Sequence, residues 1–511
     1  MRYGFVIDQN RCIGCHACTV ACKDEHDVPV GVNRTWVKYI EKGAFPATSR
    51  HFAVLRCNHC DDAPCIEICP TVALYRSPNG IVDFDNDRCI GCKSCMQACP
   101  YDALYIDPDH NTAAKCNFCA HRVELGLQPA CEVVCPTQAI MSGDLDDPES
   151  PIARTVATRK VSLRKPHKGT HPKLFYVGVE EDALQPTMTE TEETHFWADK
   201  YPGEDLYALS SSRHGSPVPG GAREVYDVPH PRPWGPKIAA YLWTKSIGSG
   251  VLLVAAFLMA LGRLQEGAVL NIVSPVIALV FTVLTTGLLV FDLKRPDRFY
   301  YLLTKPNPRS WLVLGGYILM AYSLASLLWL GYGIGTGGMP GWVVAACVVF
   351  GIGAAGYTAF LFAQAKGRDL WQSPLFFWHL VVQAVSAGAA TLLLVGLVAG
   401  LDAQVMTTVS MVLLVSLAMT GGLVLGEVFL TPVSEDVRRA TELLTCGALR
   451  EKFWGAFMAV GVLLPVIFLL WACVQAQAAW FLHPLSALLA LVGLWVFENL
   501  WVEAGQSVPL S

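Results

Sequence analysis

The chain reads as an α+β domain organised by cysteine, followed by an all-α bundle of eight membrane helices. Three observations predict this division. Sixteen of the nineteen cysteines lie before residue 136. At 511 residues, 53% hydrophobic and 16% charged, the chain is too long for one soluble domain and too apolar for an ordinary water-soluble enzyme. From 236 onward it is almost continuously apolar. The expected domains are 1-145, cysteine-rich and polar; 146-235, rich in Pro, Gly, Ser and charge; and 236-511, the membrane part. The net charge of −5 carries no signal about partners, and no nucleic-acid partner is expected.

Cys89-Ile-Gly-Cys-Lys-Ser-Cys-Met-Gln-Ala-Cys-Pro100 has the spacing C-x2-C-x2-C-x3-C-P. In that spacing three thiolates wrap one iron-sulfur cube, and the fourth reaches a neighbouring one. Three further runs accompany it: Cys12, Cys15, Cys18 and Cys22; Cys57, Cys60, Cys65 and Cys69; and Cys116, Cys119, Cys131 and Cys135. Those positions and Cys89, Cys92, Cys95 and Cys99 are the expected ligands of four [4Fe-4S] clusters. Arg-Cys-Ile-Gly-Cys occurs at 11–15 and again at 88–92, and Cys69-Pro-Thr-Val-Ala-Leu, Cys99-Pro-Tyr-Asp-Ala-Leu and Cys135-Pro-Thr-Gln-Ala-Ile match. Duplication of a two-cluster unit accounts for the repeats. By the crossing rule, Cys69 joins Cys89, Cys92 and Cys95, while Cys99 joins Cys57, Cys60 and Cys65.

Short apolar pieces flank the runs: Gly4-Phe-Val-Ile, Ala53-Val-Leu, Gly80-Ile-Val-Asp-Phe and Ala103-Leu-Tyr-Ile. They predict strands, with brief helices near the fourth cysteines, in the manner of ferredoxin modules. The fold class is therefore an α+β ferredoxin-like cluster domain of two duplicated two-cluster modules, then the eight-helix transmembrane bundle. Disulfides are disfavoured, because Met1-Arg-Tyr-Gly-Phe-Val-Ile-Asp has neither a long apolar core nor a twin arginine, so no signal peptide is expected. Structural zinc uses separated C-x2-C pairs, unlike four thiolates within eleven residues. His16, His59 and His121 lie among the ligands and read as supporting residues. The middle segment, from Arg164-Lys-Pro-His-Lys-Gly through Ser216-Pro-Val-Pro-Gly-Gly, reads as an extended wrap and linker.

Eight stretches are long enough to cross a bilayer: 238-262, 268-291, 311-335, 341-364, 374-400, 405-430, 453-475 and 480-502. An even number leaves both flanks on one face. The turns on the cluster-domain side hold eleven basic residues: Lys294, Arg295, Arg298, Lys305, Arg309, Lys366, Arg368, Arg438, Arg439, Arg450 and Lys452. The opposite turns hold only Arg263. This asymmetry predicts a multi-pass protein of the bacterial or archaeal cytoplasmic (inner) membrane with its cluster domain in the cytoplasm.

Ionisable side chains at membrane depth are costly and point to function. Lys245, Asp292, Glu427 and Glu498 all fall in the half nearest the cluster domain. Lys245 is the candidate hydrogen-bond donor to a quinone, with Asp292 and Glu427 as candidates for proton delivery or for holding the loops. The membrane part has only His379 and His483, at opposite ends, so they cannot share one iron and no haem is expected. Cys347, Cys446 and Cys473 are scattered and read as packing or loop residues.

Residues 1 to about 180 resemble the four-cluster electron-transfer subunits of molybdopterin oxidoreductases. The membrane half resembles the haem-free anchors of the polysulfide reductase (NrfD-like) family. Its matches are Asp292-Leu-Lys-Arg-Pro-Asp-Arg-Phe299, Tyr357-Thr-Ala with Leu370-Trp-Gln-Ser-Pro374, and Gly505-Gln-Ser-Val-Pro509. The resemblance implies exchange of electrons with menaquinone or ubiquinone, and a separate catalytic subunit carrying a molybdenum or tungsten molybdopterin cofactor. It also implies that Cys22 joins Cys116, Cys119 and Cys131, and Cys135 joins Cys12, Cys15 and Cys18. Two features depart from it: cluster and anchor parts are fused in one chain, and the expected cytoplasmic face is opposite to that of the polysulfide reductase complex.

The expected function is passage of electrons between that partner and the quinone pool. A redox-driven ion-translocating subunit and a membrane-docked ferredoxin without a quinone site are the alternatives. Protein purified without oxygen should carry about sixteen iron and sixteen acid-labile sulfide per chain. An iron content near twelve, or zinc in quantity, would contradict the four-cluster expectation.

Overall fold

Where the sequence alternates apolar runs with cysteine, the computed structural model forms short strands joined by cysteine-bearing loops. It describes residues 1–43, 45–191, 221–263, 267–430 and 432–511; the Pro/Gly/Ser-rich run as far as Gly220 lies outside them. In one sheet β1 (Tyr3–Asp8) pairs antiparallel with β8 (Ile140–Asp144) and parallel with β10 (Leu174–Val177), which also pairs with β9 (Val161–Ser162). The order is β8-β1-β10-β9. A second sheet has β2 (Thr35–Lys42) and β3 (Ser49–Arg56) beside β12 (Arg223–Tyr226) and β11 (Glu190–Thr191). Residues from the segment read as a wrap thus close both sheets.

The repeated tails become repeated structure. Pro64–Ile68 is a helix that stops at Cys69, and the hairpin of β4 (Leu74–Arg76) and β5 (Val82–Phe84) follows. Ser94–Ala98 is a helix that stops at Cys99, and the hairpin of β6 (Leu104–Ile106) and β7 (Ala113–Lys115) follows. Proline after each cysteine ends the helix, because it cannot donate to the preceding turn.

Among the described residues, eight helices are long and apolar enough to span a membrane. We number them membrane helix 1 (Pro236–Ala260), 2 (Val269–Asp292), 3 (Trp311–Gly335), 4 (Gly341–Ala363), 5 (Phe376–Ala399), 6 (Ala403–Phe429), 7 (Lys452–Val474) and 8 (Ala479–Ser507). Helix 1 is the most enclosed and packs on helices 2, 4, 5 and 8. Its approach to helix 5 depends on Gly250 and Gly388, since a Cβ on either would collide with the other helix's backbone. Small residues at such crossings let backbones approach in lipid, where no hydrophobic force drives helices together.

The cysteine domain is seated on the loops at one end of the bundle. Lys294 and Arg295 donate backbone N–H to the carbonyls of Gly91 and Ile90, each at 3.2 Å. Asn307 Nδ2 reaches the Cys69 carbonyl at 2.8 Å, and Ser310 Oγ that of Ile68 at 2.7 Å. Arg368 donates to Gln97 Oε1 at 2.7 Å and to the carbonyls of Gln506 and Val508 at 3.2 and 3.0 Å. The last residues lie in this seam, where Arg164 donates to the Leu510 carbonyl and Lys38 to that of Ser511.

His230 clamps the same seam, with Nδ1 2.8 Å from Asp102 and Nε2 3.0 Å from Ser511 Oγ. Burial alone would lower its pKa, but the Asp102 and Asp227 carboxylates outweigh burial and push it up to about 10. A group raised in the folded state contributes stability that is complete below its unfolded pKa, near 6.5, and is lost as pH rises through the folded value. The thermal midpoint of the detergent-solubilised chain should therefore fall more steeply between pH 7 and 10 than that of His230→Gln. Equal slopes would show that this clamp does not titrate with folding.

Candidate functional site

The sixteen cysteines assemble as four groups of four. Cys69, Cys89, Cys92 and Cys95 line one cavity, and Cys12, Cys15, Cys18 and Cys135 line another. Cys22 lies beside Cys116, Cys131 and Cys119. Cys65 has Cys99, Cys57 and Cys60. Each group takes three thiols from one run and the fourth from another, the arrangement described for paired cubes.

The groups also adjoin one another in a definite order. Cys95 is close enough to Cys65 for their charges to interact, Cys116 stands in the same relation to Cys57, and Cys18 to Cys131. The result is a line from the Cys69 group, through the Cys57 and Cys116 groups, to the Cys12 group. The first end is against the membrane loops; the last has Cys15 exposed.

Turn chemistry builds each cavity. In the Cys89–Cys92 loop Gly91 has φ +68°, and a Cβ there would lie 2.6 Å from the Lys294 Cβ and 2.9 Å from the Asn111 carbonyl oxygen. Only glycine serves where a left-handed residue is also pressed by a second element.

The donor set fits iron-sulfur clusters on electrostatic grounds. Burial pushes the Cys18 thiol up to about 11 and the Cys92 and Cys116 thiols up to about 12, with neighbouring cysteines adding to the shift in each case. Crowded buried thiols resist ionisation until a cation takes the place of their protons. An iron-sulfur cluster with four thiolates is a net anion, and buried cations stand beside the groups. Arg56 is fully buried, donates from Nη1 to Cys131 Sγ at 3.0 Å and covers the Phe5 ring. Lys115 donates to the Cys116 carbonyl at 2.8 Å, and Lys93 projects from the Cys92 loop.

Lys93 leads into the membrane part. Its Nζ is 2.8 Å from Asp292 Oδ2, at the end of membrane helix 2. Asp292 and Glu498 are both electrostatic neighbours of Tyr241, which is fully buried on helix 1, as are Tyr357 and Thr358. One turn further, Lys245 is 2% exposed, donates to the Ala355 carbonyl at 2.8 Å and to Thr358 Oγ1 at 2.7 Å, and lies over the Tyr357 ring. Glu498 on helix 8 is the carboxyl facing Lys245, and its Oε1 has no hydrogen-bond partner among the described residues.

Glu427 belongs to a different network. It accepts from Ser373 Oγ at 2.6 Å and lies 3.1 Å from His379 Nδ1, while His379 Nε2 is 3.0 Å from the Gln383 amide. Of the three residues read from the sequence as a possible quinone site, Lys245 bonds Thr358, which with Asp292 neighbours Tyr241, and Glu427 is separate. Sequence reading did not connect His379 and Gln383 to it, or Tyr241 to Lys245. The i, i+4 spacings 241/245 and 379/383 were the available signals.

Comparison with known proteins places these geometries in a family. Residues 224–509, more than half of the chain, match the family described as polysulphide reductase, NrfD. The protein belongs to that family. Residues 49–145 match a 4Fe-4S dicluster domain and 3–24 a 4Fe-4S binding domain. The sequence is 43% identical over 192 residues to a tetrathionate reductase subunit of Salmonella typhimurium, covering 37% of this chain and 76% of that protein. It is 42% identical over 179 residues to a polysulfide reductase chain of Wolinella succinogenes, covering 34% and 94%. It is 35% identical over 227 residues to the arsenate respiratory reductase iron-sulfur subunit ArrB of a Shewanella strain, covering 35% and 96%. This NrfD-family protein is a membrane-bound iron-sulfur electron-transfer subunit of the reductase type.

Removing the Arg56 cation makes adding an electron nearby less favourable. Arg56→Met should lower at least one cluster's reduction potential by on the order of tens of millivolts, with Arg56→Lys recovering most of the shift. Potentiometric titration followed by electron paramagnetic resonance reads this, and unchanged potentials would reduce Arg56 to a packing role.

Proposed function

We propose that the chain passes electrons between a catalytic partner subunit and membrane quinone, through four [4Fe-4S] clusters held by the four cysteine groups. The single observation that carries this reading is the placement of Lys245: the Lys93–Asp292 ion pair, at 2.8 Å, joins a loop of the membrane-facing cysteine group to the end of helix 2, Asp292 and Thr358 both neighbour Tyr241, and Thr358 accepts from the buried Lys245. When bound, the clusters supply one-electron carriers.

Quinone chemistry moves two protons with two electrons, so the site needs both a hydrogen-bonding group for the quinone oxygen and groups that hold protons. Lys245 supplies the first. Its ammonium donates to the quinone oxygen and replaces one of its present contacts, to Ala355 or Thr358. Glu498 holds one proton near Lys245, and Asp292 exchanges another at the cluster-side end of helix 2. Tyr357 covers the ammonium with its ring face, which stabilises the charge. Both directions of electron flow use the same residues.

The far end of the line suits a protein partner. Cys15 is exposed there, and Ile13, Val20, Val133 and Val134 are exposed apolar residues around it, on loops and on two helices that pack together. The relatives are parts of tetrathionate, polysulfide and arsenate reductases by name, which supports a catalytic subunit as the partner, with a molybdenum or tungsten molybdopterin cofactor as the chemistry expected of it. The eleven-to-one distribution of basic residues supports a cytoplasmic position for the cluster domain in a bacterial or archaeal cytoplasmic membrane.

Lys245→Met keeps side-chain length while removing the charge and its hydrogens. The variant should insert normally and keep its cluster signals, yet show quinol-linked electron transfer slowed by about tenfold or more, the loss expected for one charged hydrogen bond. Wild-type quinone turnover in this variant would reject Lys245 as the quinone ligand, and failure of quinol to reduce the clusters of the wild type would favour a membrane-docked ferredoxin.

A further inference from the structure

The four cysteine groups are not served alike by hydrogen-bond donors. Among the described residues, two side-chain N–H groups meet a cysteine sulfur, and both belong to the group of Cys22, Cys116, Cys119 and Cys131. Arg56 Nη1 reaches Cys131 Sγ at 3.0 Å, and His26 Nε2 lies 3.2 Å from Cys119 Sγ. A thiolate only accepts, so Nε2 carries the hydrogen. Sulfurs of the other groups meet backbone amides and hydroxyls: His59 N–H at Cys57, Gly91 and Ala113 N–H at Cys89, and Ala139 N–H with the Thr137 hydroxyl at Cys135.

Local structure delivers His26 to this place. It follows directly on the helix Ala17–Glu25, which carries Cys22 into the same group. His121, just after Cys119, meets the His26 ring edge-on, with centroids 5.3 Å apart, and is itself held by Glu25 Oε1 at 2.7 Å. Lys115 adds a third contribution through the Cys116 carbonyl at 2.8 Å. An N–H on sulfur and a cation close by both favour the state that holds an extra electron, so both raise a reduction potential. At the membrane end, Arg298 meets the Cys89 carbonyl rather than its sulfur, and the charge of Lys93 is matched by Asp292. At the outer end, water at the exposed Cys15 supplies the Cys12 group with one such contribution.

We propose that His26, together with Arg56, makes the third group from the membrane the electron store of the line, with the highest reduction potential of the four. An electron entering from either end settles there. It leaves when a second electron arrives behind it and repels it, so one electron enters for each that departs. His26 takes part through its hydrogen bond alone: it neither gains nor loses a proton, and no covalent bond changes. The store rests on the four-cluster reading and not on the quinone site.

Potentiometric titration of the full chain, read by electron paramagnetic resonance, tests this. The signal of highest potential should be the one that moves in His26→Leu. At its wild-type midpoint the ratio of reduced to oxidised cluster should drop about tenfold, a shift of about 59 mV for one electron, with the remaining signals in place. His26→Gln restores an N–H and should recover most of the change, and Arg56→Met should move the same signal. An unmoved highest signal, or movement of a lower one in its stead, would overturn the store. A second measurement serves if His26→Leu binds iron poorly. Wild type with its histidines carrying the heavy nitrogen isotope is poised so that only the highest-potential cluster is reduced, and electron-nuclear double resonance should show coupling to a histidine nitrogen that vanishes in His26→Gln. Absence of that coupling in the wild type would equally overturn the store. Wild-type iron well below about sixteen per chain would end the four-cluster reading, whereas about sixteen with an unmoved signal would end the store alone.

Discussion

Everything in this chain depends on how the carbonyl groups of the Cys69 and Cys89 loops are satisfied. Loops that wrap a cluster turn their N–H groups toward sulfur, so their carbonyls face outward and need donors once buried. The loops of the membrane half supply them. Asn307 answers the Cys69 carbonyl, Arg298 that of Cys89 at 3.0 Å, and the Lys294 and Arg295 amides those of Gly91 and Ile90. These bonds seat one cysteine group, rather than any of the other three, against the helices.

That seating gives the basic loop residues two roles. Arg298 and Arg368 belong to the charge excess that orients a membrane protein, and both are also donors within the domain seam. Arg368 is nearly buried, so much of its contribution is to packing and hydrogen bonding with Gln97 and the final residues. The fusion of the two parts makes such contacts intramolecular, which removes the association cost that separate subunits would meet.

Membrane helix 8 divides the polar content of the bundle. Glu498 turns toward Lys245, while Phe497 and Trp501 turn toward His379. Buried ionisable groups seldom stabilise a fold in their own right, because desolvation costs as much as pairing returns. Two such clusters are kept apart here by aromatic side chains of one helix.

The amino-acid sequence by itself determined the cysteine groups as chemistry and the eight spans as membrane helices. Ligand spacing is local covalent geometry, written within about a dozen residues, and a long apolar run has few outcomes besides a buried helix. The strands at Gly4-Phe-Val-Ile and Ala53-Val-Leu were readable for the same reason, as short apolar runs beside turn residues. Tertiary structure alone decided which cysteine group meets the membrane, that Asp292 pairs with Lys93 from 199 positions away, and that Glu427 belongs with His379 rather than with Lys245. Such partners are set by the crossing of helices and the docking of domains. A single carboxylate in an apolar run announces that it needs a partner, but its identity depends on which face of which helix arrives beside it.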